Sequence, residues 1–247
     1  LGTLNIFELP IKTNIISILT NASVSASMLF IPNLAKDLGA SDIEIGLIGA
    51  AYGIALFISS GIFGREADIK GRKLIMEAGL LVSAVTFAIQ VSTLIQPFNT
   101  AFAVGLIRFI AGFSAGVFPP ALIAYVYESR LGLGKFTAWG SFGWAVGNLA
   151  AGYIGSYMGI FLLSSMFFLL AFVFSTRLPS MRGLNLNIPV FPKDLIKRNL
   201  TVYLAYFLRH VGASAIWIIF PLYLVSIGAD FFWVGVLYTI NCLTQFM

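Results

Sequence analysis

The sequence predicts an all-α membrane protein built from repeated spanning helices. Three observations lead there. Apolar runs recur at about the length a bilayer core requires. Basic residues gather in alternate connections. One stretch of the chain also returns 189 positions later. Of the 247 residues, 59% are hydrophobic and 10% charged; soluble domains hold about 45–50% and about 25%. The mean hydropathy is +0.93. The 23 Phe and 24 Gly residues suit lipid-facing and closely packed membrane helices, respectively.

A spanning helix needs about 20 mostly apolar residues. Seven complete runs meet that requirement, at 13–34, 43–63, 74–95, 100–125, 135–154, 157–175 and 200–227, and an eighth begins near Phe231. The first run lacks a small-residue cleavage site and leads straight into the second, so it reads as a span and not a signal peptide. The segment 177–199 is the longest non-apolar stretch and carries Pro179, Pro189 and Pro192. It is expected to be a linker between a six-helix bundle (1–176) and the start of a second bundle (200–247), with a short amphipathic piece near Asp194–Arg198.

The charges orient these runs. Of the fifteen Lys and Arg residues, only Lys36 lies in an odd-numbered connection, among Asp37, Asp42 and Glu44, and Arg108 and Arg209 lie inside runs. All the others precede run one or follow runs two, four and six. The positive-inside rule therefore places the N-terminus and the central linker in the cytoplasm, with the chain in the cytoplasmic membrane. The net charge of +5 is explained the same way. No basic groove with interleaved aromatics points to nucleic acid.

Runs one and seven repeat. Ser25, Ala26, Pro32, Gly39, Ala40 and Gly46 match Ser214, Ala215, Pro221, Gly228, Ala229 and Gly235. Six runs separate the copies, so both point the same way, which is a parallel repeat about an axis along the membrane normal. A complete repeat implies about twelve spans, of which this chain would hold seven and part of an eighth.

The loop after run two reads Gly64-Arg-Glu-Ala-Asp68-Ile-Lys-Gly71-Arg72-Lys73. It resembles the loop signature of the major facilitator superfamily (MFS) at its usual place. Gly71 permits a tight turn, and Asp68 lies near the start of span three, where a carboxylate suits the helix N-terminus. Run four carries Arg108, Gly112 and Gly116, followed by Pro119 and Pro120, and is similar to that family's span-four signature. Run five, with Gly134, Gly143, Gly147, Asn148 and Gly152, resembles the antiporter signature, but Asn148 stands where the signature has Pro and Ala151 where it has Gly. The resemblance covers nearly the whole chain. It implies a secondary transporter in which a cavity between two six-helix halves faces each side in turn. Gly64, Asp68, Gly71, Arg72, Lys73 and Glu128 would then form the cytoplasmic gating motif, with Arg72 pairing with Glu128 and holding the outward-facing state.

Candidates for the substrate or coupling pathway follow from helical geometry. Asn14, Ser17, Asn21 and Ser25 lie within roughly 80° of one another at about 100° per residue. The repeat places Tyr203, Tyr206, His210 and Ser214 on the corresponding face of run seven. Lipid penalises such stripes, so they should line a cavity or pack on protein. Arg108 and Arg209 each cost about 2.5–3.5 kcal/mol within a bilayer on insertion scales and should face the interior or water. In run five, Gly140, Gly143, Gly147 and Ala151 form a small-residue packing face, and Asn148 lies with Thr137, Ser141 and Trp144 on a polar one. His210 is a candidate for proton transfer, set against the plainer reading of a lone, hydrogen-bonded interior histidine.

No ATP-site, cofactor or Cys/His metal pattern appears, and Cys242 is the single cysteine. Gly132-Leu-Gly134-Lys135 lacks the first glycine of a phosphate loop. The expected partners are a small solute, the lipid bilayer and protons as a candidate coupling ion, with no obligate protein partner. Two deep arginines favour an anionic or polar neutral solute. Symport of organic anions or sugars and efflux of drugs or metabolites stay open at this level. A transporter-like sensor also stays open, whereas an enzyme would need a catalytic constellation that the runs do not hold.

Overall fold

The computed structural model describes residues 8–180 and 193–246. Pro189 and Pro192 of the expected linker lie outside the described residues. Helices α1 (Glu8–Leu29) and α2 (Ile31–Asp37) make the first crossing; α3 (Asp42–Lys70) makes the second. Helix α4 (Arg72–Ile89) continues into a tight 3-10 turn at Gln90–Leu94. Helices α5 (Ala101–Ala115) and α6 (Phe118–Glu128) share the fourth crossing, and α7 (Leu133–Ile154) and α8 (Tyr157–Thr176) make the next two. A short α9 (Lys193–Arg198) precedes α10 (Leu200–Ser226) and α11 (Phe231–Phe246). The breaks after α1 and α5 fall beside Pro32, Pro119 and Pro120, because proline has no N–H to return to the preceding turn.

Six helical stretches among the described residues are long and apolar enough to span: α1 with α2, α3, α4 with its 3-10 turn, α5 with α6, α8 and α10. Helix α7 has 22 residues, about 33 Å, which is a spanning length, but Gly, Ser, Thr and Asn replace much of its apolar surface. It lies between α1 and α11, so protein rather than lipid covers those faces.

Helices in lipid gain little from hydrophobic burial against one another, and close backbone approach takes its place. A Cβ added at Gly143 would lie 2.5 Å from the Ile18 carbonyl, and one at Gly147 would overlap Ser25 and the backbone of Ala22. The expected small-residue face of α7 is thus the α1–α7 seam. Farther along, Gly152 of α7 meets Gly235 of α11, where each added Cβ would come within 3.0 Å of the facing backbone. Gly112 and Gly116 seat α5 on the backbone of α3 at Tyr52 and Leu56. Behind these seams, Met76, Leu80, Phe87, Tyr125 and Phe168 form a buried core between α4, α6 and α8, with Phe168 edge-on to both Phe87 and Phe118.

The repeat recurs as geometry. Gly39 and Gly228 both have positive φ, +81° and +94°, which glycine adopts without steric cost. After α2, Leu38, Gly39 and Ala40 donate backbone N–H bonds to Leu34, Lys36 and Ala35. After α10, Ile227, Gly228 and Ala229 donate to Tyr223, Val225 and Leu224, the same pattern at the same offset. Each turn ends in a side-chain cap: Ser41 accepts from the Glu44 N–H (3.3 Å) and Asp230 accepts from the Trp233 N–H (3.0 Å). The copies differ at the proline, which interrupts the first crossing but lies within a continuous α10.

Overpacking a close-packed seam costs about 1–3 kcal/mol. Gly143→Ala is therefore expected to lower the thermal midpoint of the purified protein. Gly134→Ala, where nothing lies within 4 Å of the added methyl, is expected to leave it unchanged or raise it slightly. Differential scanning fluorimetry in detergent compares the two.

Candidate functional site

The turn between α3 and α4 is built on Gly71, whose φ of +105° and ψ of 135° suit glycine rather than a residue with a Cβ. Its N–H closes α3 on the Ala67 carbonyl (3.1 Å), which leaves Arg72 to open α4. Arg72 donates from Nη1 to Asp68 Oδ1 and from Nη2 to Glu128 Oε1, both at 2.5 Å. The guanidinium is 12% exposed and the carboxylates 25% and 26%, so solvent weakens these pairs only in part. The expected pairing of Arg72 with Glu128 is present, and it ties α4 to α6 and α3. Lys73 Nζ donates to the carbonyls of Thr176 (2.9 Å) and Leu178 (2.5 Å), a cation at the negative end of α8. Tyr125 donates its hydroxyl to the Pro179 carbonyl (3.0 Å). Gly64 packs against Pro120 of α6. The six motif residues therefore close one end of the six-helix set, with all the named contacts inside that set.

A cavity of about 640 Å³ lies between α1, α5, α6 and α7 on one side and α10 and α11 on the other. Asn21, Arg209 and His210 line it. Asn21 Nδ2 donates to the Ser17 carbonyl (2.8 Å), and its Oδ1 accepts from Trp144 Nε1 (2.8 Å). The His210 ring stacks on Tyr206, and its Nδ1 lies 2.9 Å from the Tyr206 carbonyl. Helical geometry puts Arg209 about 100° from the His210 stripe, yet both reach the cavity. Away from the motif end, the space between the helices is filled. Phe30 stacks on Phe231 at 4.1 Å, Tyr157 leans on Phe231, and Tyr157 donates its hydroxyl to Asp37 (2.6 Å). Leu29, Ile160, Leu224 and Val234 complete that closure.

Three other candidates lie outside the lining. Ser25 is buried in the α1–α7 seam and donates to the Trp144 carbonyl (3.2 Å). Asn148 is 0% exposed and donates to Cys242 Sγ (3.5 Å) across the α7–α11 contact. Arg108 is 3% exposed, inside the six-helix set. It donates to Ser27 Oγ (3.1 Å) and Gln90 Oε1 (3.0 Å), and its guanidinium lies 4.1 Å above the Tyr52 ring. Among the described residues it has no carboxylate partner. The aromatic face and two neutral acceptors compensate the charge instead. Sequence reasoning missed Tyr52, Gln90 and Trp217; a glutamine near the end of an otherwise apolar run was a signal for the second. Among the described residues, no three His, Cys, Asp or Glu side chains gather as a metal site would need.

A multi-span helical bundle with a mid-depth cavity between two helix sets is the class this geometry defines. The family model of the Major Facilitator Superfamily matches residues 13–247, and the chain belongs to that family. It is also similar to an uncharacterised MFS-type transporter of Methanocaldococcus jannaschii, 32% identical over 133 residues. The matched stretch covers 51% of this chain, and the chain spans about 33% of that relative.

Arg108→Lys keeps the charge but loses the planar stack and the forked donors. It is expected to cost on the order of 2–3 kcal/mol, read as a lowered thermal midpoint. Arg72→Gln, which leaves Asp68 and Glu128 without their shared cation, is expected to destabilise by about 1–3 kcal/mol. Its loss should shrink in high salt, where the native pairs are also screened.

Proposed function

We propose that the protein is a secondary active transporter that moves a small solute across the cytoplasmic membrane by alternating access, coupled to an ion or proton gradient. One observation carries this reading: the cavity is walled by two helix sets, and Phe30, Tyr157 and Phe231 pack across its end away from the motif. In alternating access, a solute from the motif end leaves on the other side when the Phe30–Phe231 contact separates.

The basic residues favour a cytoplasmic motif end, on which this conformation is read as cytoplasm-facing. The Arg72 pairs are formed in it, so they do not by themselves hold the outward-facing state that the resemblance implied. Asn21, Arg209 and His210 then meet the solute directly. Ser25 and Asn148 act by setting the distance of α7 from α1 and α11, and Arg108 holds α1, α3 and α5 together behind the cavity. The cluster of Asp68, Arg72 and Glu128 keeps the motif end of the six-helix set rigid, so that the set moves as one body. Gly64, Gly71 and Lys73 support it by close packing, by the turn and by closing α8.

The test needs no knowledge of the solute. Spin labels at Leu38 and Ile227, equivalent turns on α2 and α10, report the filled end in a Cys242→Ser background. Two distance populations are expected for the protein in nanodiscs, one matching this conformation and one longer. A single fixed distance under every condition would remove alternating access. Labelling of Lys70→Cys from the cytoplasmic side alone is expected for the orientation.

A further inference from the structure

We infer that the cavity is built for an amphiphilic organic monoanion, with its charge on Arg209 and an apolar or aromatic body against Trp144 and Trp217. This deepens the transporter reading and rests on it.

On the α1 and α7 walls the donors are used within the protein. Ser17 gives its hydroxyl to the Phe136 carbonyl, Thr20 to Ile16, Thr137 to Leu133 and Ser141 to Thr137. The Trp144 N–H goes to Asn21. A polyhydroxylated solute exchanges many water hydrogen bonds for protein ones, and burying it against spent donors is costly. These walls therefore disfavour sugars.

The charge balance disfavours cations. Arg209 lines the cavity, and among the described residues no Asp or Glu does. Among the described residues Arg209 forms no ion pair, so its guanidinium keeps a fork of donors suited to a carboxylate or sulfonate. One guanidinium matches one negative charge.

Ser214 and Gln245 add polar groups from α10 and α11, and most of the remaining lining is apolar. Val24, Phe118, Leu122 and Ile123 face the same space. Trp217 meets Trp144 edge-on at 5.5 Å and Tyr238 at 4.6 Å, forming an aromatic wall shared by α7, α10 and α11. Arg209 and Trp217 are eight residues apart on α10, about 12 Å along the helix axis. The ligand therefore carries its charge at one end and its apolar body at the other. A volume of about 640 Å³ holds it, since ligand pockets run from about 300 to 1,000 Å³.

The experiment uses three probes on the full-length protein. They are 2-naphthalenesulfonate, which cannot cross lipid as a neutral acid, its cationic counterpart 2-naphthyltrimethylammonium, and sucrose. Binding is read by quenching of tryptophan fluorescence in nanodiscs, and uptake in proteoliposomes against protein-free vesicles. The sulfonate is expected to bind and to enter saturably. Arg209→Gln should weaken its binding about tenfold or more at an unchanged thermal midpoint, and Arg209→Lys should restore part of the loss. Equal binding of the cation, or Arg209→Gln with native sulfonate affinity, overturns the proposal. Sulfonate binding without uptake supports the anion site and counts against transport. Sucrose uptake with no sulfonate binding supports transport and removes the anion site.

Discussion

The architecture depends on how closely α7 can approach its neighbours. Without a hydrophobic drive between helices in lipid, association rests on van der Waals contact and on hydrogen bonds that close backbones permit. Helix α7 presents glycines at two levels: Gly140, Gly143 and Gly147 toward α1, and Gly152 toward Gly235 of α11. It is thus the shared plank between the six-helix set and the helices that follow it. The cavity exists because α10 is not held this way. Its contacts with α1, α2, α3 and α11 are sparse, Trp217 and Leu224 pack in the cluster away from the motif end, and a cavity lies beside α1 and α7.

A second constraint follows from the same medium. Polar groups within a bilayer must find partners inside the protein. The hydroxyls of α1 and α7 meet it by bonding back to their own or adjacent helices, and Arg108 meets it with Ser27, Gln90 and the face of Tyr52. Once those partners are assigned, the Arg209 guanidinium faces the cavity with no ion pair among the described residues. The charged cluster at the α3–α4 turn obeys a different rule. It lies at the bundle end with partial solvent access, and there Arg72 bridges two carboxylates on different helices.

Much of this was legible in order along the chain. The period and length of the apolar runs marked the crossings, because a bilayer admits few alternatives. The 189-residue offset marked the paired turns, which the structure repeats down to the individual backbone bonds. Gly71 was legible as a turn and the α7 glycines as a packing face, since both follow from having no Cβ. What could not be read was which side chain a polar residue meets. Arg108, Asn148 and Ser25 all looked like cavity residues from their depth and polarity, and all three are engaged in helix–helix contacts.

Sequence alone therefore determined the membrane class, the order of the apolar runs, the charged turn and the family. Those are properties of local composition and spacing in a medium that penalises exposed polarity. Tertiary structure decided which polar residues face the cavity and which are spent on packing. It also decided that Phe30 and Phe231, 201 positions apart in the chain, meet to close one end. The reason is that helical periodicity orients a residue about its own axis, while its partner is set by the rotation and separation of a neighbouring helix. Those two quantities are fixed here by a handful of glycine contacts.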